Sequence, residues 1–307
     1  MPDTSTLKLT RSNFGTLLEP GQQKIFFDNY DENALQYDKV FTVEQSDKKQ
    51  EQITHIGGFG LWEENAEGAD INTDSATQGQ TATFTNKRFD KGYSVSWELI
   101  QDDMYGVLHG ITGKNGNAKN MGRSLHATVE TEAANVLNNA FTTNGYDGVP
   151  LFSDEHPRIS GTEEDGNVIA GALTDENLKE ACKMLRTQKD VAGSTVIAAI
   201  PSQLIVHPDN EFVARTIVYS KNTSGGALND INSLPNLDVV VMDYLTDEDA
   251  WFVKAKNVDN LMFFWREKPI FGSQQLPQTM DYFYYGYARF CAGYADWRGL
   301  VGGNVAV

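Results

Sequence analysis

The densest chemistry in the chain lies in Ser153, Asp154, Glu155 and His156, four neighbours inside DGVPLFSDEHP at Asp147–Pro157. They supply every residue type of a serine hydrolase, in which a base takes the proton of an attacking hydroxyl. A triad needs those side chains to converge from separated segments, which adjacent positions do not do. No serine stands in a G-x-S-x-G elbow, and His156 beside Pro157 reads as a turn residue. The five histidines, His55, His109, His126, His156 and His207, give no pair at the i, i+4 spacing that puts two imidazoles on one helical face for a metal. Asp102 with Asp103, and Glu163 to Asp165, are adjacent carboxylates of the kind used in acid-base work or ion binding, but such runs are common on solvated helix starts and loops. Gly110, Gly113 and Gly116 lie in GITGKNGNAKN, which lacks the Gly-Lys-Ser/Thr ending of a phosphate loop and reads as a turn. Cys182 and Cys291 have no second Cys or His at ligand spacing. The sequence therefore predicts no catalytic residue, no cofactor and no metal.

Composition narrows the classes further. Across 307 residues, 42 acidic against 25 basic side chains leave a formal charge of −17, with 40% apolar and 11% aromatic content. That much apolar material excludes wholesale disorder and can bury one large core or two ordinary ones. So acidic a chain lacks the clustered Lys and Arg that neutralise phosphates, so nucleic acid is expected to be tolerated or repelled rather than gripped. The opening MPDTSTLKLTRSNFG has no apolar core of an export signal, and LMFFW at Leu261–Trp265 is far short of the roughly 20 residues that cross a bilayer. The expectation is a soluble protein in a reducing, cytoplasmic setting.

The elements that must position any site follow from periodicity. Residues 1 to about 50 are polar with scattered anchors Phe14, Leu17, Leu18, Ile25, Phe26 and Phe27, which suggests short helices or an extended arm that needs something to lie on. The run SDKKQEQ at Ser46–Gln52 reads as a solvated turn, with a hinge into the next element as the alternative. From Gly57, GGFGLWEE and TATFTNKRFDKGYSVSWEL flank Asn65–Gln80, which has no apolar period, while Tyr93, Val95, Trp97 and Leu99 alternate with polar residues as a half-buried strand does. This predicts a long ribbon at Phe59–Leu99. Two isolated strands are marginal in water, so the ribbon is expected to gain order by lying on another subunit.

A helix is predicted over Ala118–Phe141 from the stripe Ala118, Met121, Leu125, Val129, Ala133, Val136, Leu137 and Ala140, with Arg123, Glu130 and Glu132 away from it. RISGTEEDGNVIAGA reads as a linker, and Thr174 as the N-cap of a helix with Leu178, Ala181, Cys182 and Leu185 on one face. Two β-rich runs broken at Pro201 follow, then a helix over Asp209–Tyr219 introduced by Pro208 and a polar loop at Ser220–Asn236. Strands are expected at Leu237–Leu245 and Trp251–Lys256, and a long aromatic strand at Tyr282–Tyr294. Helices and strands mix without βαβ repetition, so the predicted class is α+β. Aromatics interleaved with Arg289 and Arg298 would suggest base stacking only within a basic field, which is missing.

Read in series, these segments resemble the major capsid proteins of tailed bacteriophages, of HK97-like fold, nearest to the major head subunits of Mu-like phages and prophages. The resemblance rests on DGVPLFSDEHP after a long helix, AIPSQLIVHPDNEFVARTIV, the pair LDVVVMDYL and WFVKAK, and the closing YARFCAGYADWRG. It implies a structural protein and not an enzyme, self-assembling as pentamers and hexamers into an icosahedral head shell around double-stranded DNA. It further implies an N-terminal arm (1–56), an extended loop (57–99), a peripheral domain (100–173 and 257–290) carrying the spine helix 118–141, and an axial domain (174–256 and 291–307). The implied partners are other copies of the chain, a separate scaffolding protein, a portal and, as a further candidate, a decoration protein; the packaged DNA is enclosed without sequence-specific binding, and no membrane is involved. The implied location is the virion capsid, assembled in the host bacterial cytoplasm.

Candidate intersubunit contacts are Phe59, Trp62, Lys87, Arg88, Asp90 and Lys91 on the ribbon, Arg123 and Glu130 on the helix, and Asn222 and Asn229 in the axial loop. Ion pairs among the charged members would each contribute little alone. Two rival readings are a self-assembling tail or sheath protein, which would form tubes, and a hydrolase centred on Asp154 and His156.

Overall fold

The helical and alternating periods of the sequence become helices and strands that mix along the chain. A helix over residues 23–30 (α1) precedes a single helical turn at Tyr37–Val40 (α2) and strands Thr42–Gln45 (β1), Gln50–Gly57 (β2), Thr77–Thr85 (β3) and Lys87–Val95 (β4). The long helix Asn117–Asn138 (α3) leads to short strands His156–Pro157 (β5), Glu164–Asp165 (β6) and Val168–Ala170 (β7), helix Asp175–Thr187 (α4), strand Pro201–Val206 (β8) and helix Glu211–Tyr219 (α5). Strands Asp238–Val241 (β9), Trp251–Ala255 (β10), Leu261–Gln275 (β11), Tyr282–Tyr294 (β12) and Leu300–Asn304 (β13) complete the order. The structure is a computed structural model, and it describes residues 23–30, 35–68, 70–96, 98, 116–158, 164–221, 231–232, 234 and 237–304. Phe14, Leu17, Leu18, Trp97, Leu99, Asp102, Asp103, His109, Gly110, Gly113, Glu163, Asn222 and Asn229 lie outside the described residues.

The described residues fall into two units. One takes residues up to 35, 87–129 and 265–290; the other takes 36–86, 130–264 and 291–304. In the first, β4 pairs antiparallel with β12 from Tyr282↔Val95 to Phe290↔Lys87 and forms the edge of the sheet. Cross-strand aromatics do much of the packing: Tyr93 stacks on Tyr284 at 5.0 Å and Phe89 on Phe290 at 4.4 Å. Phe26 of α1 lies against Phe271 at 5.0 Å, within a core that also holds Val95, Ala118 and Met121. Gly122 lets the two helices touch, since a Cβ there would run into the Phe26 carbonyl oxygen.

The second unit is built on a mixed sheet in the order β7-β13-β10-β8-β9, with β7 beside β13 and β8 beside β9 parallel and the other pairs antiparallel. One face of β10, carrying Trp251, Val253 and Ala255, packs under Leu178, Ala181, Cys182 and Leu185 of α4 and Ala214 and Val218 of α5. The opposite face presents Phe252, which stacks with Phe152 at 5.3 Å. The expected N-cap holds: Asn177 N donates to Thr174 Oγ1 at 3.2 Å, and Asp175 and Glu176 occupy the first turn, where the helix dipole favours negative charge.

Three expectations need correction. The ribbon is not Phe59–Leu99: its strands are β2 and β3, paired from Gln50↔Thr85 to Gly57↔Thr77, and Lys87–Val95 leaves it to join β12. The reason is that Tyr93 and Val95 find an apolar partner in the first unit's core, while Asn86 turns the chain by donating from Nδ2 to Ser46 Oγ and Lys48 O, both at 3.0 Å. Ser46 is buried under this turn, while Asp47–Gln50 are exposed, so the charged run is the solvated turn expected and leads into β2. The run before Pro201 is not a strand; Val196 makes only an isolated bridge to Lys189, and β8 begins at the proline, whose missing N–H is tolerated at a first strand position. Finally, Glu130 is not on a solvated helix face but buried.

Candidate functional site

His156 is buried and fully occupied. Its Nδ1 lies 2.6 Å from Asp147 Oδ2, its Nε2 lies 3.1 Å from Asn167 Oδ1, and its ring stacks on Trp297 at 4.2 Å and 9°. Asn167 also donates from Nδ2 to Leu151 O at 2.9 Å and accepts from Ser153 N at 3.0 Å, so this knot fastens the loop carrying DGVPLFSDEHP. Ser153 Oγ accepts from Glu155 N at 3.1 Å. Both imidazole nitrogens thus face groups other than a nucleophile, and the arrangement is a packing tie rather than a base poised on a hydroxyl. Among the described residues no three His, Cys, Asp or Glu side chains converge as metal ligands. Burial pushes the Cys182 thiol up to about 11, away from the thiolate that reacts.

Four strongly exposed apolar side chains lie instead in the stretch that links β2 to β3. Trp62 is 98% exposed, Ile71 88%, Leu61 79% and Phe59 61%. Side chains of this size are rarely left bare in a group, and such patches mark interaction surfaces. The same stretch carries Glu63, Glu64, Glu67, Asp70 and Asp74 and no basic residue from Gly57 to Asn86. It is shaped by its own polar bonds: Gly60 N donates to Asp74 Oδ2 at 2.7 Å, Ser75 N to Asp74 Oδ1 at 2.8 Å, and Asn72 Nδ2 to Glu63 Oε2 at 3.1 Å. The two backbone donors, Gly60 first, hold the Asp74 carboxyl below its ordinary range.

The charged candidates divide. Arg88 Nη2 pairs with Asp90 Oδ2 at 2.5 Å, and its guanidinium sits 5.1 Å from the Tyr287 ring centre. Lys91 Nζ donates to Ser124 Oγ at 2.9 Å, tying β4 to α3 within the first unit. Arg88, Asp90 and Lys91 line a groove of about 370 Å³ with Phe283, Tyr285 and Tyr287. Lys87 and Arg123 are exposed. Glu130, by contrast, is 1% exposed and turned inward, where it accepts from Gln36 N at 2.7 Å and Tyr37 N at 3.1 Å at the start of α2. Burial, with Asp38 and Asp243 nearby, raises its carboxyl above the ordinary range, although the two N–H donors pull the other way. Glu130 is an internal cap, and its place as an intersubunit contact falls.

Sequence reasoning missed the outward aromatics Phe283 and Tyr285 because YFYYGYARF reads as one aromatic run. Period-two reading separates them: Tyr284, Ala288 and Phe290 are buried, while Phe283 and Tyr285 are exposed.

Similarity to solved structures is one of fold. The chain is similar to the capsid of the native GTA particle (TM-score 0.57, 11% identity, 90% of this chain and 91% of that one) and to the capsid of the cyanophage P-SCSP1u (TM-score 0.55, 11% identity, 89% and 88%). It is similar also to the capsid of bacteriophage JBD30 decorated with minor capsid protein trimers (TM-score 0.53, 18% identity, 78% of this chain and 100% of that one). No curated protein matches the sequence. The α+β architecture is thus the HK97-like capsid fold.

The sequence also matches the model of the phage capsid protein family over residues 80–302, and the chain belongs to that family. It is a structural protein, the major capsid subunit of a bacteriophage icosahedral shell, and not a tail or sheath protein.

Proposed function

We propose that the subunit encloses double-stranded DNA in a head assembled in the host bacterial cytoplasm from pentamers and hexamers, and that the β2–β3 ribbon is the strap by which each copy holds a neighbour. The observation that carries the strap is the ribbon itself: it pairs with no third strand among the described residues and ends in the bare Phe59, Leu61, Trp62 and Ile71. A two-stranded ribbon has little independent stability, so apolar groups at its end are covered by something else, and in a shell that is a second copy. The first unit corresponds in this reading to the peripheral domain and the five-stranded sheet of the second to the axial domain.

The formal charge of −17 suits a wall that touches packaged DNA without holding it. A scaffolding protein, a portal and a decoration protein complete the proposed partners, the last supported by the minor capsid protein trimers on the similar JBD30 capsid. Kinship to Mu-like head subunits rests on the sequence motifs alone.

The test is electron microscopy of the purified chain, with and without a supplied scaffold, beside a variant in which residues 58–76 are replaced by Asn-Gly. The full chain should give closed icosahedral particles or rings of five and six. The shortened chain should stay folded and fail to close. Closed particles from the shortened chain at the same concentration would refute the strap.

A further inference from the structure

His55 lies on β2 near the end of the stretch over which the ribbon touches the body of its own unit. Behind it, Ala82 and Phe84 of β3 sit on Met262, Phe264, Cys291 and Ala295, an apolar seat with Phe84 edge-on to Phe264 at 5.1 Å. Beyond it, Ile56 is exposed, Gly57 is the last buried residue of the strand, and the bare apolar end follows. Apolar seats resist separation but are non-directional, so they do not set the angle at which a ribbon leaves. A directional bond at the exit does.

His55 makes that bond. Its Nε2 lies 2.6 Å from Ala295 O, and because a carbonyl only accepts, Nε2 donates. Its Nδ1 faces Asp296 Oδ2 at 3.6 Å, and its ring lies on Tyr146 at 5.0 Å and 30°. The anchor is itself tied down by hydrogen bonds and ring contacts. Asp296 Oδ1 accepts from Tyr146 OH at 3.2 Å and from Arg298 N and Nη1, both at 3.1 Å. Trp297 between them is clamped by the Arg298 guanidinium at 4.4 Å on one side and the His156 ring at 4.2 Å on the other.

The ribbon's geometry changes at the same residue. Thr54 pairs with Thr81 but Ile56 pairs with Gln78, so Gly79 and Gln80 together oppose the single His55. Two residues against one is a β-bulge, which bends its strand, increases the local twist and re-aims a side chain. A bend and a directional bond thus coincide at the exit.

We propose that His55 is a positioning residue for assembly: its bond to the Ala295–Asp296 turn, set opposite the bulge, fixes the direction in which the ribbon presents its apolar end to a neighbouring copy. The inference rests on the ribbon acting as a strap, and its test separates the two. Hydrogen exchange on the full chain, held below its assembly concentration, is compared for wild type, His55→Ala and His55→Gln, reading Gln78, Gly79 and Gln80 against reference amides in β8 and β10. His55→Ala should speed exchange at the three ribbon amides tenfold or more and leave the references unchanged. His55→Gln, which keeps a donor for Ala295 O, should recover most of the protection, and it carries the test should His55→Ala fail to fold. Unchanged ribbon exchange, or equal acceleration in β8 and β10, overturns the proposal. Selective loosening with an unchanged assembly concentration upholds the latch and overturns the strap.

Discussion

Replacing Trp62 by Ala separates stability of the subunit from stability of the shell. At 98% exposure the indole has almost nothing to lose in the isolated chain. Surface substitutions of this kind stay within about 0.5 kcal/mol, so the urea midpoint of the unassembled protein should not move measurably. If the ribbon straps a neighbour, the same ring is covered in a shell. A tryptophan removes roughly 200 Å² from water, which at about 25 cal/mol per Å² is about 5 kcal/mol before ordering and desolvation are subtracted. Truncations of central aromatic anchors generally measure about 2–4 kcal/mol after those subtractions. Each subunit offers one such ring, so the threshold concentration for assembly should rise about 30- to 1000-fold. Light scattering against protein concentration reads the threshold, and urea unfolding of the same preparations reads the subunit. A variant that assembles at the wild-type threshold refutes the reasoning, as does one whose subunit is destabilised by more than about 1 kcal/mol.

Two further substitutions test the interior. Glu130→Gln keeps an oxygen for Gln36 N and Tyr37 N but removes a buried charge. Because the folded carboxyl lies above its ordinary 4.5, the folded state binds a proton more tightly, and wild-type stability should rise as pH falls from neutral through the raised value, with no further gain below 4.5. Urea unfolding across that window should show this rise in wild type and its loss in the variant; identical pH slopes would exclude the buried charge as their cause. Gly303→Ala places a methyl inside the Trp251 indole, opposite which Gly303 is paired in the sheet. The ring must leave its seat and its Nε1 bond to Gly171 O at 3.2 Å, a loss of about 3–5 kcal/mol, read as a lower urea midpoint; a shift worth under about 1 kcal/mol would mean the strands part easily there.

How much was legible follows how local each signal is. Helix α4 was readable because its cap and its stripe lie within one sequence window: Leu178, Ala181, Cys182 and Leu185 are all buried. Strand β12 was readable from bulk and β propensity, and Trp62 and Phe59 stood out as apolar residues in a polar stretch. The partner of KRFDKGYSV was not, because its alternation announces a strand without saying that Tyr284, far along the chain, sits opposite Tyr93. Glu130 failed for a related reason. Position on α3 describes one helix, whereas its role comes from backbone N–H groups of Gln36 and Tyr37 that a distant segment brings to it. The family resemblance supplied what periodicity lacked, the order of parts, but it does not say which acid faces inward.

The sheet order β7-β13-β10-β8-β9 has a consequence for synthesis. Strand β13, residues Leu300–Asn304, stands inside the sheet rather than at its edge, and it is the neighbour through which β7 joins. The turn at Ala295–Asp296 that receives His55 is made almost as late. At ~5–20 residues per second, the ribbon waits roughly 10–40 s on the ribosome between its own emergence and that of its anchor. If the ribbon is the strap and His55 aims it, a nascent chain would carry its apolar end on an unaimed support until that turn is made, and neighbouring chains on one message would have nothing rigid to lock together.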